Sequence, residues 1–294
     1  MTSLTDLPAP AKINLFLHVT GRRADGYHLL QSVFLPIDWS DELHIELRHD
    51  GKIQRHDLGP QLPADDLCLR AARLLQTESN TSLGCDISIH KHVPWGAGLG
   101  GGSSDAATVL IALNKLWQLN WRTARLEALG LKLGADVPFF LRGRPAWVEG
   151  VGEIITPIEL PENVLNTQLA ILKPPVAIPT AAIFSSPLLK RDTKPAIVAD
   201  FLAAPKHFGS NDLQAPAAEF SSQVNEALGI MQNRFGNSRM TGSGSAVFSW
   251  VEPSNATTHP KSFAPSDVGL DGSSWVSRLC CGLVQHPLLD WLPV

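Results

Sequence analysis

Long apolar runs are missing from this chain: the longest, around residues 109–113, is far too short to cross a bilayer. The opening Met1-Thr2-Ser3-Leu4-Thr5-Asp6 lacks the basic start and apolar middle of a signal peptide. The expectations are therefore a cytoplasmic setting and no membrane partner, and the matches at Asn80-Thr81-Ser82 and Asn255-Ala256-Thr257 carry no weight as glycosylation sites. Cysteine is scarce, four in 294 residues. Cys68, Cys85, Cys280 and Cys281 show no C-x-x-C spacing, which excludes a zinc finger and a disulfide framework and leaves four reduced structural thiols. A basic surplus is absent as well. With a formal net charge of −4, no broad surface invites nucleic acid, and any positive charge at an anion site has to be local. Internal repeats are absent too. What remains is an ordinary globular composition, 44% hydrophobic, long enough for two modest domains or one large one.

Against that background one stretch stands out, Pro94-Trp95-Gly96-Ala97-Gly98-Leu99-Gly100-Gly101-Gly102-Ser103-Ser104-Asp105. Glycine has no Cβ, so such a loop can turn sharply and let an anion approach its backbone N–H groups. The alternating Asp86-Ile87-Ser88-Ile89-His90 before it reads as a strand, and Ala106, Val109, Leu110, Leu113, Leu116 and Trp117 after it recur at helical spacing. Ser103, Ser104 and Asp105 are good N-cap types, so the pattern predicts strand, glycine loop, helix, with phosphate held at the helix start.

Three glycine patterns compete for this loop. The P-loop pattern fails because Gly102 stands where its lysine must reach the terminal phosphates. Gly96, Gly98 and Gly101 satisfy G-x-G-x-x-G, but residues 123–129 read as a second helix where a dinucleotide fold needs a parallel strand. The third pattern, P-x-G-x-G-L-G-G-[GS]-[SA]-S, is met from Pro94 to Ser104. With Pro10-Ala11-Lys12-Ile13-Asn14-Leu15 and Arg239-Met240-Thr241-Gly242-Ser243-Gly244-Ser245-Ala246-Val247-Phe248, it resembles the three ordered motifs of the GHMP (galactokinase, homoserine, mevalonate, phosphomevalonate) kinase superfamily. Lys12-Ile13-Asn14-Leu15, Asp25-Gly26-Tyr27-His28, Gly134-Ala135-Asp136-Val137-Pro138, Glu149-Gly150-Val151-Gly152-Glu153 and Ile178-Pro179-Thr180 narrow the resemblance to the 4-diphosphocytidyl-2-C-methyl-D-erythritol kinase family.

That resemblance implies an α+β, two-domain GHMP kinase fold: an N-terminal ribosomal-S5-domain-2-like unit, a C-terminal ferredoxin-like α+β unit, and an active site in the cleft between them. The pattern of the chain itself predicts an α+β unit over 1–156 and a second over 157–294, where prolines accumulate. Half-buried strands are expected over 11–19, 29–37, 42–48, 52–58 and 85–93, and helices over 65–77, 104–119 and 123–133. The second half should hold strands at 168–173, 246–251 and 275–283, helices over 180–184, 197–203 and 214–233, and an exposed loop over 253–274.

Phosphoryl transfer asks for positioning, charge neutralisation and a proton acceptor. Lys12 and Asn14 share one strand face, although an exposed strand lysine is commonly just solvated. Asp136 before Val137-Pro138 is, by its position alone, a helix cap. The resemblance reverses both readings: it implies that Lys12 contacts substrate and assists transfer and that Asp136 is the general base. It further implies that Pro94, Gly96, Ala97, Gly98, Leu99, Gly100, Gly101, Gly102, Ser103, Ser104 and Asp105 hold ATP and its Mg2+. Tyr27, His28, Thr180 and Phe184 would face the cytidine end of a small-molecule substrate, with Asn14, Thr241, Gly242, Ser243 and Gly244 near the transferred phosphate. Metal ligands and oligomeric state, monomer or weak homodimer, stay open. Glu149 and Glu153 are read as structural. Asp66 stands where this family often has asparagine near adenine, which leaves it a helix cap. Two alternatives also stay open, a kinase for another small alcohol and a catalytically silent ligand sensor on the same fold.

Overall fold

The computed structural model describes residues 2–252 and 262–293. Its elements run β1 (Ser3–Arg22), β2 (His28–Arg48), β3 (Ile53–Asp57), α1 (Leu67–Ser79), β4 (Gly84–His90), α2 (Gly101–Leu116), α3 (Thr123–Leu131), α4 (Val137–Arg142), β5 (Ala146–Gly150), β6 (Ile154–Pro157), α5 (Glu162–Leu165), β7 (Gln168–Lys173), α6 (Thr180–Ser185), α7 (Val198–Ala203), α8 (Gln214–Phe220), α9 (Ser222–Phe235), β8 (Arg239–Met240), β9 (Val247–Val251) and β10 (Val276–Cys280). The chain is α+β, and no helix among the described residues is long and apolar enough to cross a membrane.

β1 and β2 pair antiparallel along most of their lengths, from Ser3 opposite Glu46 to Arg22 opposite His28. The two strands expected over 29–48 are one, because β1 is long enough to pair with the residues between them: Pro10 lies opposite Ser40 and Ala9 opposite Asp41. The other edge of β2 carries β4 and β5, and β3 and β6 complete a six-stranded sheet. The hairpin of β5 and β6 was not expected, since Glu149-Gly150-Val151-Gly152-Glu153 hides its register inside a glycine turn. A second, antiparallel sheet has the order β10-β7-β9-β8.

Three apolar cores stack through the molecule. The first lies between the six-stranded sheet and α1–α4, and α2 is at its centre with 12 of its 16 residues buried. The second fills the space between the two sheets, where Ala11, Ile13, Leu15, Val33 and Leu35 meet Leu169, Ile171, Phe248 and Trp250. The third joins the far face of the small sheet to α8 and α9 through Ala170, Leu172, Val247, Val224, Ala227 and Met231. Alternation along β7, with Leu169 and Ile171 on one face and Ala170 and Leu172 on the other, is what period-two side chains dictate. β1 is therefore buried on both faces: Lys12, Asn14 and His18, expected at a half-solvated surface, are 4%, 1% and 8% exposed.

Smaller departures have local causes. The helix expected over 214–233 breaks at Ser221, which is extended (φ −146°, ψ 122°). Part of the loop expected over 253–274 lies outside the described residues, as does Asn255. In the rest, Phe263 is buried edge-on against Phe235 at 5.5 Å. The C-terminal Leu288 and Leu292 return to pack in the first core.

Because both sheets lean on the middle core, Ile171→Ala is expected to lower unfolding stability by about 2–5 kcal/mol while leaving a single urea transition in which fluorescence and far-UV circular dichroism coincide. A second expectation concerns pH. His286 is 1% exposed, and burial pushes its pKa down to about 4. Between roughly pH 6.5 and that value the unfolded chain binds the proton first, so stability falls as pH falls, by about 3 kcal/mol over the window. Denaturation of His286→Asn across the same range is expected to lack that slope.

Candidate active site

The loop between β4 and α2 shows why its sequence alternates. Gly96, Gly98 and Gly100 take left-handed φ values of 62°, 76° and 71°, while Ala97 and Leu99 between them sink into the middle core. A Cβ on Gly98 would lie 2.3 Å from the Thr241 carbonyl oxygen, so no other residue fits there without moving the strand beyond. Two main-chain hydrogen bonds clasp the loop: Lys12 N–H donates to Leu99 O at 2.9 Å, and Ala246 N–H donates to Ala97 O at 3.1 Å. α2 begins at Gly101, three residues before the expected start. Its N-cap is Gly100, which has no side chain to cap with, so the first-turn N–H groups stay available to an anion.

That helix start opens on a cavity of about 490 Å³ lined by the loop, Lys12, Asn14, Asp136 and the β8–β9 turn. Lys12 Nζ donates to Asn14 Oδ1 at 2.6 Å and lies 3.7 Å from Asp136 Oδ2. Burial pulls the Lys12 ammonium below its ordinary pKa, and the Asp136 charge opposes that. Asn14 is fixed from the other side by its Nδ2 donating to Ser32 Oγ at 2.9 Å and its N–H donating to Thr241 Oγ1 at 2.8 Å. Asp136 does occupy the N-cap position of α4, yet its side chain makes no capping hydrogen bond. Its carboxylate is partly exposed and turned to Lys12 rather than to the backbone of its own helix.

Ser104 and Asp105 depart from the sequence reading. They lie inside α2, buried, and their side chains are not among those lining the cavity. Asp105 Oδ2 instead accepts from Lys91 Nζ at 2.5 Å, and Lys91 also pairs with Asp41. Asp41 Oδ1 accepts in turn from the N–H groups of His92 and Val93 at 2.6 and 2.7 Å. Burial raises Asp105 well above the usual carboxylate range, with Lys91 opposing. Of the three expected caps only Ser103 lines the cavity. Asp66 does cap α1, accepting from Leu69 N–H at 3.1 Å, and it also pairs with Arg55 at 2.8 Å.

A second cavity of about 640 Å³ continues from the first and shares Leu30, Val151, Thr180 and Phe184 with it. Its wall is made by His28 stacked on Phe184, ring centroids 5.0 Å apart and planes 24° apart. Tyr27 lines the same cavity at 64% exposure. Thr180 and Ser243 exchange a hydroxyl hydrogen bond at 3.0 Å, which ties α6 to the β8–β9 turn. Arg191, which sequence reading missed, donates from Nε to His28 Nε2 at 3.1 Å, from Nη2 to the carbonyls of Phe184 and Ser186 at 3.1 and 3.0 Å, and from Nη1 to the carbonyl of Leu189 at 3.0 Å. Burial, then Arg191 and Arg22, lower the His28 pKa. Neither Arg191 nor Lys91 carried a periodic or motif signal; each is known by its partners only after folding.

The chain is similar to known proteins along nearly its whole length. Residues 66–144 match the GHMP kinases N terminal domain. The chain is 59% identical to a 4-diphosphocytidyl-2-C-methyl-D-erythritol kinase of Methylibium petroleiphilum, covering 99% of each, and 51% identical to one of Paracidovorax citrulli, over 99% of this chain and 98% of that one. A crystal structure of 4-(cytidine 5'-diphospho)-2C-methyl-D-erythritol kinase superposes with TM-score 0.76 at 34% identity, covering 94% of this chain and 99% of the other. A mevalonate kinase shares the fold at TM-score 0.68 and 15% identity, over 96% and 99%.

The ion cluster behind α2 gives a measurable consequence. Lys91→Met strands a carboxylate in a buried site and is expected to cost about 3–5 kcal/mol of stability, read from urea denaturation. Lys91→Met combined with Asp41→Asn and Asp105→Asn is expected to recover most of that loss.

Proposed function

The chain belongs to the 4-diphosphocytidyl-2-C-methyl-D-erythritol kinase family, and on that premise we propose that it transfers the γ-phosphate of ATP to the 2-hydroxyl of 4-diphosphocytidyl-2-C-methyl-D-erythritol, giving the 2-phosphate and ADP. This is a step of the non-mevalonate route to isoprenoids. The observation that carries the reading at the level of residues is the pairing of Lys12 and Asp136, from β1 and from the start of α4, across 3.7 Å in the cavity that the glycine loop borders.

The roles follow from position. The N–H groups at the start of α2 and along 96–102 hold the triphosphate. Asp136 accepts the proton of the substrate hydroxyl as its oxygen bonds to the γ-phosphorus, the bond from that phosphorus to the β-phosphate oxygen breaks, and ADP leaves. Lys12, held by Asn14, offsets the negative charge that accumulates on the transferred group. Gly242, Ser243 and Gly244 border the same space; Thr241, expected beside them, is fully buried and acts through Asn14, whose N–H donates to its Oγ1. The cytidine end occupies the second cavity against His28, Phe184, Thr180 and Tyr27.

Magnesium belongs to this reading as the partner of the nucleotide. Its usual protein share is one or two ligands, with phosphate oxygens and waters filling the rest. The donors present fit that share: the Ser103 hydroxyl lines the cavity, and Asp136 is its one carboxylate among the described residues. Ser103 and the phosphates would hold the ion, which neutralises phosphate charge when bound.

Asp136→Asn is expected to lower kcat by about a thousandfold with the KM for ATP changed less than about twofold, measured by coupled ADP release with and without the cytidyl substrate. Near-wild-type turnover by that variant removes Asp136 as proton acceptor. Equal turnover of mevalonate or homoserine by the unaltered enzyme would overturn the substrate assignment.

A further inference from the structure

We infer that Arg191 sets the base selectivity of the second cavity by fixing which ring nitrogen of His28 carries a proton. The inference rests on the reading that this cavity receives the pyrimidine of the substrate, and it goes beyond that reading in naming what distinguishes cytosine from uracil there.

The argument starts from donor inventory. A guanidinium has five N–H donors and no acceptor. Arg191 Nε lies 3.1 Å from His28 Nε2, so Nε2 has to be the acceptor and the proton of the neutral ring has to sit on Nδ1. Burial and the positive charges of Arg191 and Arg22, the latter at the end of β1, act together against a doubly protonated ring. Nδ1 makes no hydrogen bond to the protein among the described residues, and His28 lines the cavity. The ring therefore offers that cavity a single fixed donor, Nδ1–H.

Cytosine and uracil differ in what they present to such a donor. Cytosine N3 is an acceptor; uracil N3 carries a hydrogen and is a donor. A locked Nδ1–H is complementary to the first and opposes the second, and a buried donor facing a donor rejects strongly. Without Arg191 the proton is free to move to Nε2, which turns Nδ1 into an acceptor that suits uracil. Arg191 also holds the Phe184 and Ser186 carbonyls at 3.1 and 3.0 Å, so one side chain sets both the ring that reads the base and the backbone of the ring stacked on it. Arg191 acts through His28 and is a positioning residue.

The test compares cytidine 5'-diphosphate with uridine 5'-diphosphate as ligands of the full chain, by calorimetry, in the wild type and in Arg191→Met. The wild type is expected to prefer the cytidine nucleotide, and Arg191→Met to lose at least about tenfold of that preference, by weaker cytidine binding together with equal or tighter uridine binding. In turnover, the loss is expected in KM for the cytidyl substrate more than in kcat. If the wild type does not distinguish the two nucleotides, the cavity is not a base pocket and the inference falls with that reading. If the wild type discriminates and Arg191→Met discriminates equally, or if both ligands weaken in parallel, the inference alone is overturned. Nitrogen-15 spectra of His28 in the wild type, which need no variant, are expected to show Nδ1 protonated and Nε2 bare; the reverse assignment overturns it as well.

Discussion

The site depends on a clasp of two backbone hydrogen bonds that join the glycine loop to both sheets. Lys12 N–H holds Leu99 from the long strand of the larger sheet, and Ala246 N–H holds Ala97 from the turn that opens β9. The same two residues that are clasped are the apolar anchors of the loop, so backbone pairing and burial fix it at the same points. The three left-handed glycines between and beside them are then forced outward. Lys12 is part of the clasp through its backbone and part of the site through its side chain, so the ammonium has little freedom to be anywhere except beside the loop it helps to hold.

Electrostatics behind the loop serve the same end. Asp105 is the fifth residue of α2, close enough to the positive end of the dipole that its charge would compete with an anionic ligand for that field. Lys91 lies against Asp105 and Asp41 together, Asp41 is saturated by two backbone N–H groups, and burial favours the neutral form of Asp105. The cluster thus approaches neutrality, and the N–H groups of the helix start keep their attraction for phosphate.

Much of this was legible in the residues. Glycine spacing and the helical series after residue 105 located the loop and α2, because conformational permission and apolar period are local properties. Lys12 and Asp136 were named through resemblance, since by local rules one reads as a solvated lysine and the other as a cap. What could not be read was burial imposed from a distance. β1 looked half-exposed because nothing in its own sequence announces a second sheet; β2 looked like two strands because its continuity comes from its partner. Ser104 and Asp105 looked like caps because a glycine cap, which offers no side chain, leaves no signature except the helix beginning earlier. Arg191 was invisible for a related reason: three of its four acceptors are main-chain carbonyls, which leave no mark on residue identity, and the fourth, His28, is 163 positions away in the chain.

The middle core has one more consequence. Ile13 and Leu15 on one sheet and Ile171 and Phe248 on the other share a dry seam, and the bridges Leu17 to Asn211 and Ile37 to Gly282 stitch its margins. A seam of this kind resists parting of the two sheets, because opening it would expose those side chains to water. The parts free to respond are those at the rim, Tyr27 and Trp95, whose side chains are 64% and 65% exposed. Shielding the transfer from water then becomes a task shared between these two rings and the bulk of the reactants themselves.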